Sequence, residues 1–125
     1  MTGGAIRFDG TDILAMDKRA TKLIAASVGV RTARVLSVAE ARSGRLPVVV
    51  KPATGGSSHG VSVVRSPGEL DSALRAAGPG EVLIEEFVSG REIDVAVLEE
   101  VDGSLSVAPV LEIPRTPGEI FDVAG

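Results

Sequence analysis

The run Leu46-Pro47-Val48-Val49-Val50-Lys51 constrains the fold more than any other segment of this chain. It is short, apolar up to its terminal lysine, and stopped by Pro52, so it reads as a buried strand rather than a helical turn. Residues 53–60 follow as a Gly/Ser-rich loop, and residues 61–65 alternate like a returning strand. Ser66-Pro67-Gly68-Glu69 then supplies a capping box with proline at the first helical position, which predicts a helix to Ala77. Gly78-Pro79-Gly80 ends it. A strand hairpin followed by a helix and further strands points to an α+β fold, a small antiparallel sheet with helices packed on one face. A parallel sheet would instead alternate strands and helices regularly.

The flanks fit the same plan. Residues 16–28 predict a helix capped by Asp17 and ended by Gly29, with Ala20, Leu23, Ile24 and Ala26 or Val28 as its apolar stripe. Residues 32–38 suggest a short strand, and residues 38–42 a helical turn. Residues 81–87 and 91–101 read as two strands joined through Ser89-Gly90. Asp102-Gly103 predicts a type I′ turn into a strand over 104–110. Residues 1–12 are Gly-rich and weakly patterned, and the stretch after residue 110 has no clear period.

Composition narrows the function classes. The 125 residues suit one domain, or one domain with a piece of another, and are enough for an unassisted core. Three Phe with no Trp or Tyr argue against a base-stacking nucleic-acid binder, and a formal charge of −4 provides no footprint for nucleic acid or anionic lipid. The absence of cysteine and the single histidine exclude thiolate and His-pair metal motifs. No apolar run approaches the roughly 20 residues of a membrane span, and the first ten residues lack a signal-peptide core, so a cytoplasmic setting is expected.

Three segments carry candidate chemistry. The loop Lys51-Pro52-Ala53-Thr54-Gly55-Gly56-Ser57-Ser58-His59-Gly60 combines glycines that let backbone approach an anion, hydroxyl donors, and a lysine at a strand end. It lacks the Gly-Lys-Ser/Thr leading into a helix of a Walker loop, and by itself it fits a flexible hairpin tip equally well. In the segment 82–92, the backbone around Glu86, Phe87 and Val88 offers donors and acceptors to an adenine edge. Glu92 stands where it can accept ribose hydroxyls; solvated strand ends are the plainer alternative. Met16-Asp17-Lys18, with Lys22 one turn later, opens a helix where a lysine ordinarily faces water.

Taken in order, Met-Asp-Lys, Val-Lys-Pro with Gly-Ser-Ser, Glu-Glu-Phe and Gly-Arg-Glu resemble the ATP-grasp region of D-alanine–D-alanine ligases, over about residues 16–98. Weaker similarity continues at Glu112-Ile113 and Ile120-Phe121-Asp122. The resemblance implies two α+β subdomains that clamp ATP, phosphorylation of a D-alanine carboxylate, and attack by the amine of a second D-alanine. It implies that Lys18 and Lys51 contact the phosphates, with Lys51 also near the adenine pocket. Gly56, Ser57 and Ser58 would sit in the loop that closes over the phosphates, Glu85, Glu86, Phe87 and Val88 would line the adenine site, and Glu92 would hold the ribose.

The same resemblance divides the chain into a linker or N-terminal remnant (1–15), a central nucleotide-binding subdomain (16–100), and the start of a C-terminal part (101–125). The family's magnesium ligands and catalytic arginine would follow Gly125. The expectation is therefore ATP or ADP binding with Mg2+ carried on the nucleotide, no catalytic or metal-ligating residue in this stretch, and no ligation by it unaided. His59 replaces a small apolar residue, and Ile120-Phe121-Asp122-Val123 replaces a Tyr-containing stretch, which puts D-alanine specificity in doubt. Other readings are a non-catalytic ATP-grasp-like interaction module, with a homodimer as one form, and part of a different peptide ligase of secondary metabolism.

Overall fold

The computed structural model describes residues 17–55 and 59–114. They fall into two compact units, one ending at Phe87 and one beginning at Val88, each described by itself. This division lies inside the 16–100 segment. The linker expected at 1–15, the loop residues Gly56, Ser57 and Ser58, and Ile120-Phe121-Asp122 lie outside the described residues.

The first unit holds helices α1 (Lys18–Ser27), α2 (Val38–Arg42) and α3 (Leu70–Ala76), and strands β1 (Val35–Leu36), β2 (Val48–Pro52), β3 (Ser62–Val64) and β4 (Val82–Glu86). The strands form one sheet in the order β1-β4-β2-β3, antiparallel throughout. Strands β3 and β4 flank β2 on either side, joined by a connection that contains α3, so the three make a split β-α-β arrangement.

Local chemistry sets the helix ends. Asp17 accepts from the N–H groups of Arg19 and Ala20 and starts α1. Ser37 and Glu40 form a reciprocal box that starts α2. Ser66 and Glu69 form the expected box, which here opens a 3-10 turn at Pro67–Glu69 leading into α3.

Alternation along the strands sorts the two faces. Val48, Val50, Val64, Ile84 and Leu36 point to one side, where they pack with Leu70, Ala73 and Ala77 around α3 and with Ala41 of α2. Val49 and Lys51 of β2, with Leu83 and Glu85 of β4, therefore take the other side. The register sets Val49 opposite Glu85 and Lys51 opposite Leu83. One face makes the core; the other carries the charges.

The second unit contains β5 (Glu92–Asp94), β6 (Val97–Glu99), β7 (Leu105–Val107) and β8 (Leu111–Ile113). It forms two two-stranded antiparallel sheets, β5-β8 and β6-β7. Three expectations are corrected here. Residues 91–101 are not one strand: they break at Val95-Ala96 because the halves pair with different partners. The expected strand over 104–110 is reduced to Leu105–Val107. The turn after β6 is a three-residue loop, Val101 to Gly103, in which Glu100 N–H donates to Ser104 C=O and Gly103 takes φ 82°. That pattern belongs to the looser hairpin with one left-handed glycine, not to a two-residue type I′ turn.

The stripe expected on α1 is also uncovered. Leu23 is 73% exposed, and no residue of the helix is buried among the described residues. The helix is held to the sheet by polar contacts instead.

Candidate functional site

Those polar contacts define the site. Lys18 N–H donates to Ala53 C=O at 2.8 Å, tying the first turn of α1 to the residue just past β2. Arg19 bonds Val82 C=O at 3.3 Å and pairs with Glu81 at 2.6 Å, which holds the same turn against the start of β4. With α1 fixed this way, residues four apart on it lie along one helix face. Lys18 and Lys22 are such a pair, and both reach the charged face of the sheet.

Glu85 is the centre. Its side chain is 6% exposed, and its two oxygens divide between two ammonium groups: Lys22 Nζ lies 2.5 Å from Oε1 and Lys51 Nζ lies 2.5 Å from Oε2. The Lys22 approach is an ion pair without hydrogen-bond geometry, so Oε1 has no hydrogen-bond partner among the described residues. A buried carboxylate is tolerated only with such compensation. Lys22 also donates to Ala33 C=O at 2.6 Å. Lys18 completes the cluster, with its Nζ donating to Gly55 C=O at 3.0 Å, beside the Gly/Ser loop. Burial first, and the charge of Lys51 second, hold the Lys18 ammonium below the ordinary lysine range, while Glu85 and Asp17 act in the opposite direction.

The chain contains three lysines: two pair directly with this carboxylate, and the third, Lys18, lies close enough to feel the charges of Lys51 and Glu85. Three ammonium groups against the carboxylates of Glu85 and, beside Lys18, Asp17 leave a net positive charge. Compact ammonium groups so placed can attract a polyanion.

The remaining candidates are less concentrated. Alternation turns Glu86 away from Glu85; it is exposed, and its carboxylate accepts from Arg34 N–H at 2.9 Å. Phe87 is half-buried at the end of β4 and its N–H donates to Pro47 C=O at 3.3 Å. Val88 and Glu92 belong to the second unit, where residues 88–92 enclose a shallow recess of about 250 Å³. Sequence reasoning missed Lys22 as a site residue. Its signal was the four-residue spacing from Lys18, but the partner carboxylate lies 63 residues further along the chain and is visible only once β2 and β4 are paired.

The fold is that of the ATP-grasp class. Over 88% of this chain and 37% of the other, it superposes on the D-alanyl-alanine synthetase A crystal structure from Vibrio cholerae with a TM-score of 0.69 and 26% identity. It also matches the ADP complex of purK, an N5-carboxyaminoimidazole ribonucleotide synthetase, with a TM-score of 0.68 and 27% identity, covering 81% of this chain and 29% of that one. Residues 23–124 match the family model described as D-ala D-ala ligase C-terminus, and the chain belongs to that family. D-alanine–D-alanine ligase A of Mesorhizobium japonicum is 40% identical over 118 residues, which cover 86% of this chain and 31% of that relative. The chain thus spans about a third of the length of the curated relatives it matches.

Proposed function

We propose that this chain grips ATP for a ligase that joins a carboxylate to an amine, most like the D-alanine–D-alanine ligases of peptidoglycan synthesis. The observation that carries this reading is the pairing of Lys22 and Lys51 on Glu85, with Lys18 beside them on Gly55 C=O of the Gly/Ser loop. Lys18 and Lys51 hold the phosphates, and Gly56, Ser57 and Ser58 close over them. Glu85, Glu86, Phe87 and Val88 border the adenine, and Glu92 takes the ribose. ATP supplies the phosphoryl group that activates a carboxylate, D-alanine or another amino acid, and these residues supply position and positive charge.

In this reading Mg2+ is carried on the nucleotide. No helix among the described residues is long and apolar enough to cross a membrane, and a cytoplasmic site fits the substrates proposed. Because the chain spans about a third of its relatives, we assign it nucleotide binding and not, unaided, the ligation.

The test is calorimetric titration of the 125-residue chain with ADP and ATP, and a phosphate-release assay with D-alanine. Saturable micromolar-to-millimolar binding without D-alanine-dependent turnover is expected. No binding of either nucleotide overturns the reading.

A second reading, a non-catalytic interaction module, is favoured by the second unit. Val97, Leu98, Leu105, Val107 and Leu111 are all exposed there, on two-stranded sheets that are marginal without cover. A dimer by light scattering that is indifferent to ADP would select it.

Lys18 gives the nucleotide reading a pH signature. In the folded chain Lys18 releases its proton below the ordinary lysine range, so the unfolded chain binds more protons in that interval and this group's effect on stability rises with pH. A bound phosphate favours the ammonium form, so ADP affinity should fall as pH rises through the lowered value. Titrations from about pH 7 to pH 10 should show this fall, and Lys18→Met should flatten it. A wild-type affinity that is level across that range removes Lys18 from the phosphate site.

A further inference from the structure

Lys22 is the one lysine that the nucleotide reading leaves without a task. It is only 16% exposed, and its ammonium group is already committed to Ala33 C=O and Glu85 Oε1. These two contacts and its low exposure hold the ammonium group back from the open face. What it does reach is the carboxylate that also holds Lys51, and Lys51 is 23% exposed at the charged face. Without Lys22, Glu85 would stand against Lys51 and Lys18 alone, and the net charge at the site would drop by one positive charge. A buried carboxylate with one cation withdrawn also repels an incoming phosphate more strongly, because little water is present to screen it.

We infer that Lys22 is a positioning residue: it occupies Oε1 of Glu85 and so leaves Lys51 and Lys18 their positive charge for a polyphosphate. The inference rests on the nucleotide reading above. It differs from a plain anchoring role, in which Lys22 ties α1 to the segment before β1 through Ala33. The two roles part in how they treat ligands of graded charge. Electrostatic compensation matters more with each phosphate and little for the nucleoside; loss of an anchor disturbs the whole cleft and weakens all of them alike.

The experiment titrates adenosine, AMP, ADP and ATP into the 125-residue chain and its Lys22→Met variant. Adenosine binding should stay within about twofold, while ADP and ATP should weaken about tenfold, the scale of one partly buried charge. Lys22→Arg should keep most of the wild-type ratio of ADP to adenosine affinity. The double variant Lys22→Met with Glu85→Gln removes both charges and should return that ratio to wild type; taking the ratio cancels the contact of residue 85 with adenine. Equal losses for all four ligands, with no recovery in the double variant, overturn the inference and leave Lys22 an anchor.

Should Lys22→Met fail to fold, the double variant is compared with Glu85→Gln alone. The ratio should be highest in Glu85→Gln and back at wild type in the double variant, and identical ratios in both overturn the inference. Failure of the underlying reading is distinguishable: then the wild-type chain binds none of the four ligands.

Discussion

In Lys51→Met, affinity for ADP should fall about a hundredfold, the largest loss expected from any single side chain of the site. A hydrogen bond to a charged group contributes roughly 1.5–3 kcal/mol, and a hundredfold corresponds to about 2.7 kcal/mol. Lys51 is placed to reach this upper range because β2 fixes its backbone, Glu85 fixes its ammonium group, and the pair lies mostly out of water. Stability should fall too, by about 1–3 kcal/mol, since Glu85 loses one of its two compensating cations. Lys51→Arg should fall between the two, because guanidinium keeps the charge but spreads it over a planar fork that does not match the point contact with Oε2. Isothermal titration gives the affinity and chemical denaturation followed by circular dichroism gives the stability. If Lys51→Met binds ADP as tightly as wild type while remaining folded, the lysine cluster is not the phosphate site, and the proposed function fails at its main support.

The parts of this arrangement that could be read from the sequence are those set by neighbours in the chain. Asp17, Ser66 and Glu69 announce their caps through local spacing, and the apolar run at 48–50 with its terminal lysine announces a strand. Strand alternation even predicts that Lys51 and Val50 face opposite ways. The parts that could not be read depend on pairing between distant segments. That Lys51 meets Glu85 follows from the β2-β4 register, which is reached only after the chain has passed through β3 and α3. Lys22 joins them only because α1 docks by its first turn on the ends of those two strands.

Where sequence periodicity misled, the reason was also tertiary. Leu23 and Ile24 sit at helical spacing, yet both remain more than half exposed: Leu23 73% and Ile24 54%. Residues 91–101 have the composition of one strand, but two partners claim its halves. The short strand β8 at Leu111–Ile113 has too few residues to show a period and is defined by its pairing with β5. The adenine and ribose assignments for Glu86, Phe87, Val88 and Glu92 stand on the family resemblance, and the fold distributes them across two units.

The opposite face of the sheet makes a contrasting prediction, in which stability and binding come apart. Leu70→Ala should destabilise the chain by about 3–4 kcal/mol, within the range seen for large-to-small changes in cores. Leu70 is fully buried, opens α3, and packs in the cluster that contains Val48, Val50, Val64 and Ile84. That cluster is built largely from Val, Ala and Ile, so few neighbours have the reach to close the gap a missing isobutyl group leaves. Against a total of about 5–15 kcal/mol for an ordinary domain, the loss should lower the melting midpoint by roughly 15 °C or more. Far-ultraviolet circular dichroism is the suitable probe, because the chain has no Trp or Tyr. Yet Leu70 belongs to the face turned away from Lys51 and Glu85, so at a temperature where the variant is folded its ADP affinity should match wild type within about twofold, as expected for sites that share no partner. A loss below about 1 kcal/mol would mean that the cluster around α3 is not the core. A binding defect as large as that of Lys51→Met in the folded variant would mean that the two faces are not separate, and that the cluster at Glu85 is held from below by the packing of Leu70.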